Sequence, residues 1–149
     1  MTTSFRPSCE KVAVLARRTD SNNPADWLFL ASRDIEGVSE LASRELAFAL
    51  CVSKLAEILE KIVKAELIRT GWFLVKTHDL VKLVDELRDR DPRLADRFQP
   101  LCEELAERYF SDRYPGFDLE EEDWPRLRRQ ADQVADLLEI VKKRVDTGS

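Results

Sequence analysis

The sequence predicts an all-α fold, an up-and-down antiparallel bundle of four to five helices. Charged residues make up 36% of the 149-residue chain and apolar residues 44%, with only four glycines, which is typical of a helix-rich globular protein. Apolar side chains recur at alternating spacings of three and four, the period of an amphipathic helix. No segment alternates as a half-buried strand does, and the connectors are short or moderate. The length suits one domain.

The bundle is predicted to span residues 24–146, with a short tail at 147–149. Before it, Pro7 and the breaker-rich segment 20–24 surround one short apolar piece, so residues 1–23 are expected to form an arm packed on the bundle. Helix one is predicted over about residues 25–42, because Pro24 suits a first helical turn and an apolar stripe follows it. That stripe consists of Leu28, Ala31, Ile35, Val38 and Ala42.

Helix two is predicted over about residues 44–70 and should be central, because its apolar residues cover two sides rather than one. Gly71 suits the C-cap, and Arg69 lies in the last turn, where the helix dipole favours a cation. The apolar excess suggests a self-complementary contact, and we therefore expect a homodimer. Helices two and five are expected to be largely buried, because their stripes are the widest and the longest.

The second half of the chain reads as three further helices. Thr77 or Asp79 can cap helix three, whose stripe begins at Leu80. The pair Asp91-Pro92 ends that helix and starts helix four, in which Pro100 predicts a kink or a break. After an acidic surface loop, helix five begins near residues 124–125.

Composition excludes several classes of site. The net charge of −5 argues against a surface that holds nucleic acid by general phosphate attraction, although a local basic patch is compatible with it. One histidine and three dispersed cysteines supply neither a zinc site nor a paired di-iron site, and glycine-rich phosphate loops are missing. We therefore predict no metal and no cofactor. The apolar run 12–16 is far too short for a signal or a membrane span, which predicts a cytoplasmic protein without membrane contact.

The single histidine, His78, marks the first candidate site. A histidine is the side chain best suited to proton transfer near neutral pH, and Arg69, Lys76 and Lys82 lie close to it in sequence. Such a group of cations could meet a polyphosphate or an RNA backbone. The structural alternative is that Thr77 and His78 only cap and pack the start of helix three.

A second candidate is the turn Arg113-Tyr114-Pro115-Gly116, for which the alternative is a plain turn with its tyrosine over the end of the bundle. Together with the segment 60–65 (EKIVKA), Gly71 and the segment 76–80 (KTHDL), the Arg-Tyr-Pro sequence resembles the HEPN domain, named for higher eukaryotes and prokaryotes nucleotide-binding. The resemblance runs from about residue 26 to residue 145. It implies a helical bundle that is often dimeric and is commonly encoded beside a small nucleotidyltransferase in prokaryotic toxin–antitoxin pairs.

Many HEPN proteins are metal-independent RNases with an arginine four to six residues before a histidine. Here eight residues separate Arg69 from His78, and no histidine follows Arg113, so that motif is absent. The resemblance therefore favours a non-catalytic protein that binds a nucleotide or phosphate and pairs with a small nucleotidyltransferase. Its expected ligand contacts are Lys76, His78 and Arg113, with Tyr114 stacking on a base, and then Lys61 and Lys64. Two alternatives stay open. One is an RNase toxin that acts on RNA through His78 and Arg69, and the other is a helical dimerisation or interaction module.

Overall fold

The computed structural model describes residues 21–73, 77–113 and 122–148, and the side chains of residues 107–113 lie outside that description. Five helices form in these ranges, and no strand does. They are α1 (Pro24–Ser43), α2 (Phe48–Arg69), α3 (Leu80–Arg90), α4 (Pro92–Arg113) and α5 (Trp124–Thr147). The predicted all-α bundle is confirmed. Of the arm predicted at residues 1–23, the part up to residue 20 lies outside the described residues.

Helix α1 begins as its sequence predicts. The side chain of Asn23 accepts a hydrogen bond from the amide of Ala25 at 3.0 Å, and Pro24 fills the first helical position, where no amide donor is needed. The buried residues of the helix are those of the predicted stripe: Leu28, Ala31, Ile35, Val38 and Ala42.

The predicted start of helix two at about residue 44 is wrong by four residues. The amide of Leu46 donates to the carbonyl of Leu41 at 3.0 Å while Glu45 is left-handed at φ 52°, which closes α1 in a Schellman-type end. Ala47, with φ 55°, then turns the chain into α2. Glycine usually fills such positions, so a sequence carrying glutamate and alanine there gives no stop signal. Leu46 is exposed and lies outside the helix.

Helix α2 is the centre of the bundle and contacts each of the other described helices. Fourteen of its 22 residues are buried, including Ile58, Leu59, Ile62 and Val63. Most of its apolar side chains are therefore covered inside one chain by α1, α3, α4 and α5, while Leu50 stays exposed. This weakens the reason for which the sequence suggested a homodimer, and the dimer itself stays a prediction.

Helices α3 and α4 are joined by Asp91 alone, and Arg88 near the end of α3 donates to Asp96 and Gln99 of α4. The predicted break at Pro100 does not occur, because α4 runs through it to residue 113. Pro100 is exposed, and so is Asp96, whose carbonyl group lacks its helical donor because proline has no amide hydrogen. The core residues of α4, which continue on both sides of Pro100, hold the helix together: Leu94, Ala95, Phe98, Leu101, Cys102 and Leu105.

Helix α5 buries one face only, with eight of its 24 residues buried, so the expectation that it is largely buried is wrong. Its outer faces carry arginine, lysine and acidic side chains, which stay in water. At its start Trp124 packs edge to face on Phe48 of α2, with the ring centroids 5.0 Å apart. Among the described helices, none has the length and apolar character that a bilayer-spanning segment needs.

Candidate functional site

The candidate site lies where α1 begins, α2 approaches its end and α3 begins. The loop that carries His78 is held by its neighbours: the hydroxyl of Thr77 accepts from the amide of Asp79 at 3.1 Å. Asp79 in turn accepts from the amides of Val81 and Lys82 at 3.1 and 3.3 Å. Asp79, one of the two residues predicted for this role, is thus the N-cap of α3, and its hydrogen bonds fix the backbone next to His78.

His78 reaches back from this loop to α2. Its Nδ1 lies 3.0 Å from Oε2 of Glu60, while 89% of its side chain stays exposed to solvent. Nε2 has no hydrogen-bond partner among the described residues. A carboxylate that engages one ring nitrogen orients the imidazole and leaves the other nitrogen for chemistry or binding. The geometry therefore presents Nε2 of His78 at the surface in a defined direction.

Glu60 is itself held by a buried lysine. Nζ of Lys64, one turn further along α2, donates to Oε2 of Glu60 at 2.8 Å, so the same carboxylate oxygen serves both Lys64 and His78. Lys64 is 3% exposed, and its Nζ lies 5.2 Å from the ring centroid of Trp27 on α1. A buried ammonium needs a carboxylate and gains from an aromatic face, and this one has both.

Lys61, one residue after Glu60, points to the neighbouring helix. Its Nζ donates to Oδ2 of Asp34 on α1 at 2.7 Å, and both side chains are mostly buried. Contacts link four side chains, Trp27, Glu60, Lys64 and His78. We call these four, together with the Lys61–Asp34 pair that is adjacent along α2, the His78 cluster. Both lysines of the cluster are paired with carboxylates, so their charges are already balanced within the chain.

Arg69, the arginine of the RNase alternative, belongs to a different group of charges. It donates to the buried carboxylate of Glu66 at 2.9 and 2.8 Å, and Arg144 of α5 donates to the same carboxylate at 2.8 Å. The hydrogen bond to Glu66 raises the pKa of Arg69 above its ordinary value. Arg144 also donates to Asp91 at 2.8 Å. We call these four residues the Glu66 network.

The two groups lie on different sides of α2. Glu60 and Glu66 are six residues apart, which corresponds to about 9 Å along a helix axis and about 240° around it. His78 contacts the first carboxylate and Arg69 the second. The structure therefore brings His78 together with Lys64 and not with Arg69.

The remaining predicted contacts fall where the structure does not describe them. Lys76 and Tyr114 lie outside the described residues, and Arg113 ends α4 with its side chain outside the description. Their approach to His78 stays a prediction. In the parts of the chain that are described, no three histidine, cysteine or acidic side chains lie close enough to hold a metal ion.

Sequence reasoning missed three members of the cluster: Trp27, Asp34 and Glu60. The spacing of Glu60 and Lys64 is the i, i+4 spacing of a helical ion pair and could have indicated their contact. Trp27 and Asp34 are remote in sequence from the lysines that they contact. Only the packing of α1 on α2 brings these residues together.

The protein is thus an antiparallel helical bundle that carries a charged cluster where its first three helices meet. Within that class, the family model for the HEPN domain matches residues 25–142. The chain therefore belongs to the HEPN domain family. Comparison with curated proteins finds no match.

Proposed function

We propose that this HEPN-domain protein is non-catalytic, binds a nucleotide or a phosphate ligand, and pairs with a small nucleotidyltransferase of a prokaryotic toxin–antitoxin type. The observation that carries the ligand-binding part is the exposed His78, which Glu60 holds by Nδ1 so that Nε2 is free at the surface. Histidine in this arrangement can donate a hydrogen bond to a phosphate oxygen.

The position of Arg69 supports the non-catalytic part of the proposal. Metal-free RNA cleavage needs a general base and a cation for the developing phosphorane charge in fixed mutual geometry. Here the guanidinium of Arg69 is committed to buried Glu66, on another side of α2 from the carboxylate that holds His78. The RNase alternative would need a different cation beside His78.

Calorimetric titration of the purified protein with ATP and GTP tests the ligand. We expect saturable binding of modest affinity, because side-chain charges without a glycine-rich backbone cradle grip phosphate less completely. The variants Lys76→Ala, His78→Ala and Arg113→Ala should bind at least several-fold more weakly than the parent.

Lys142→Ala is the matched control, because Lys142 is partly exposed on α5 and, among the described residues, its ion pair is with Glu139 at 3.5 Å. Its affinity should equal that of the parent. Unchanged affinity in Lys76→Ala, His78→Ala and Arg113→Ala would show that the nucleotide binds elsewhere on the protein. Absence of binding of both ATP and GTP would refute the proposed nucleotide binding.

The partner is tested by co-expression with the product of the adjacent reading frame. If that frame encodes a small nucleotidyltransferase, the two proteins should co-purify through size-exclusion chromatography at a fixed ratio. Elution of the two proteins as separate species at micromolar concentration would contradict the pairing. Light scattering of this chain purified alone tests the predicted homodimer.

A further inference from the structure

The charge balance of the His78 cluster depends on one proton. The Lys64–Glu60 pair is electrically neutral, and so is the Lys61–Asp34 pair. Among the side chains of the cluster, imidazole is the type that ordinarily changes charge between about pH 5 and pH 8. The cluster therefore has no net charge while His78 is neutral and one positive charge when His78 is protonated.

The other charged groups beside His78 leave this balance in place. Asp79, its neighbour in the loop, accepts from two backbone amides at the start of α3, where the helix dipole offsets a negative charge. Lys82 is an exposed cation on the first turn of α3. On the helices packed on this loop, Glu60 of α2 contacts His78, and Lys64 of α2 shares the same carboxylate oxygen of Glu60. Lys61, the next residue of α2 after Glu60, is paired with Asp34 of α1.

We propose that the site binds the phosphate of its ligand through protonated His78, with Glu60 as the positioning residue, so that binding takes up a proton. Nδ1–H donates to Oε2 of Glu60 and fixes the ring, and Nε2–H donates a charge-assisted hydrogen bond to a phosphate oxygen. This inference rests on the proposed function and adds to it that affinity falls as pH rises. Lys64 supports the arrangement, because its Nζ donates to Oε2 of Glu60 and so holds that carboxylate in place.

Calorimetry with ATP at pH 6 and pH 8, in buffers of different ionisation heat, measures both affinity and proton uptake. We expect the dissociation constant for ATP to be at least tenfold larger at pH 8 than at pH 6, with net proton uptake near neutral pH. The reason is that a ligand that binds only the protonated imidazole draws the protein toward that form. The terminal phosphate of ATP gains negative charge over the same interval. Binding to fixed cations alone would therefore tighten as pH rises, which is the opposite sign.

Three variants distinguish the contribution of the charge of His78 from that of its positioning by Glu60. In His78→Gln the weakening at high pH should vanish, and because this side chain is exposed the fold should be unaffected. In Glu60→Gln the imidazole loses the carboxylate that positions it, so affinity for ATP at pH 6 should be lower than in the parent. Glu57→Gln, on an exposed turn of the same helix, is the control and should match the parent. Circular dichroism checks the fold of each variant.

The outcomes distinguish the two proposals. Binding that is equal or tighter at pH 8, without proton uptake, would overturn this inference and leave the proposed function standing. A pH dependence that persists unchanged in His78→Gln would overturn it as well. Absence of ATP and GTP binding at every pH would overturn the proposed function and this inference with it.

Discussion

Replacing Glu66 with alanine is expected to lower the free energy of unfolding by about 3 kcal/mol, the low end of what breaking a buried ion pair costs. The Glu66 carboxylate is 1% exposed and accepts hydrogen bonds from Arg69 and Arg144. Without it, Arg69 loses its carboxylate partner while Arg144 keeps Asp91. Because the Arg69 side chain is 18% exposed, water recovers part of the loss, and this places the expected value at the low end.

Urea denaturation followed by far-ultraviolet circular dichroism at neutral pH gives this difference directly. Glu57→Ala is the matched control, because Glu57 lies on the same helix and forms an exposed pair with Lys54 at 3.3 Å. Exposed pairs of this kind contribute about 0–1 kcal/mol, so the control should lose less than about 1 kcal/mol. Equal losses in Glu66→Ala and Glu57→Ala would show that the Glu66 network contributes no net stability and would refute the reasoning.

Three further predictions concern acid, thiols and catalysis. Burial alone would raise the pKa of Asp91, but hydrogen bonds from the Leu94 amide and from Arg144 outweigh it and hold that pKa below its ordinary value. The destabilisation by Asp91→Asn should therefore be present at pH 7 and shrink below about pH 4 as the folded carboxylate protonates, measured by urea titration at each pH. Burial raises the pKa of Cys51 and brings that of Cys102 to about 12, so both thiols should resist iodoacetamide until the protein unfolds, as mass spectrometry of peptides would show. In metal-free single-turnover assays the protein should not cleave RNA, and cleavage that falls by about two orders of magnitude or more in His78→Ala would favour the RNase alternative.

The helices were predictable because burial follows helical spacing closely. The predicted stripe of α1 matches the buried residues one for one. So does the predicted stripe of α3, which consists of Leu80, Leu83, Val84 and Leu87. The errors arose where stability depends on something other than a stripe. The left-handed Glu45 ends α1 without a glycine, and the left-handed Ala47 leads into α2. The core on both sides of Pro100 keeps α4 intact.

The site was predictable only in part. His78 stood out as the sole histidine of the chain, and the lysines followed from the family resemblance. Their partners Glu60 and Asp34 were not predicted, because a carboxylate on a helix usually signals nothing more than a solvated face. In the folded chain these two carboxylates neutralise Lys61 and Lys64. The side chain of the cluster that can add a net charge is therefore His78 and not a lysine.

The central claim, that His78 contacts the phosphate of a bound nucleotide, is tested most directly by nuclear magnetic resonance. The chain has one histidine, so its imidazole gives one Cε1–H signal that needs no assignment by mutation. Titration with ATP at pH 6.5 should shift this signal saturably, with the dissociation constant that calorimetry gives, and the signal of Lys142→Ala should move identically. A signal that stays fixed while calorimetry reports binding would place the ligand away from His78 and contradict the account.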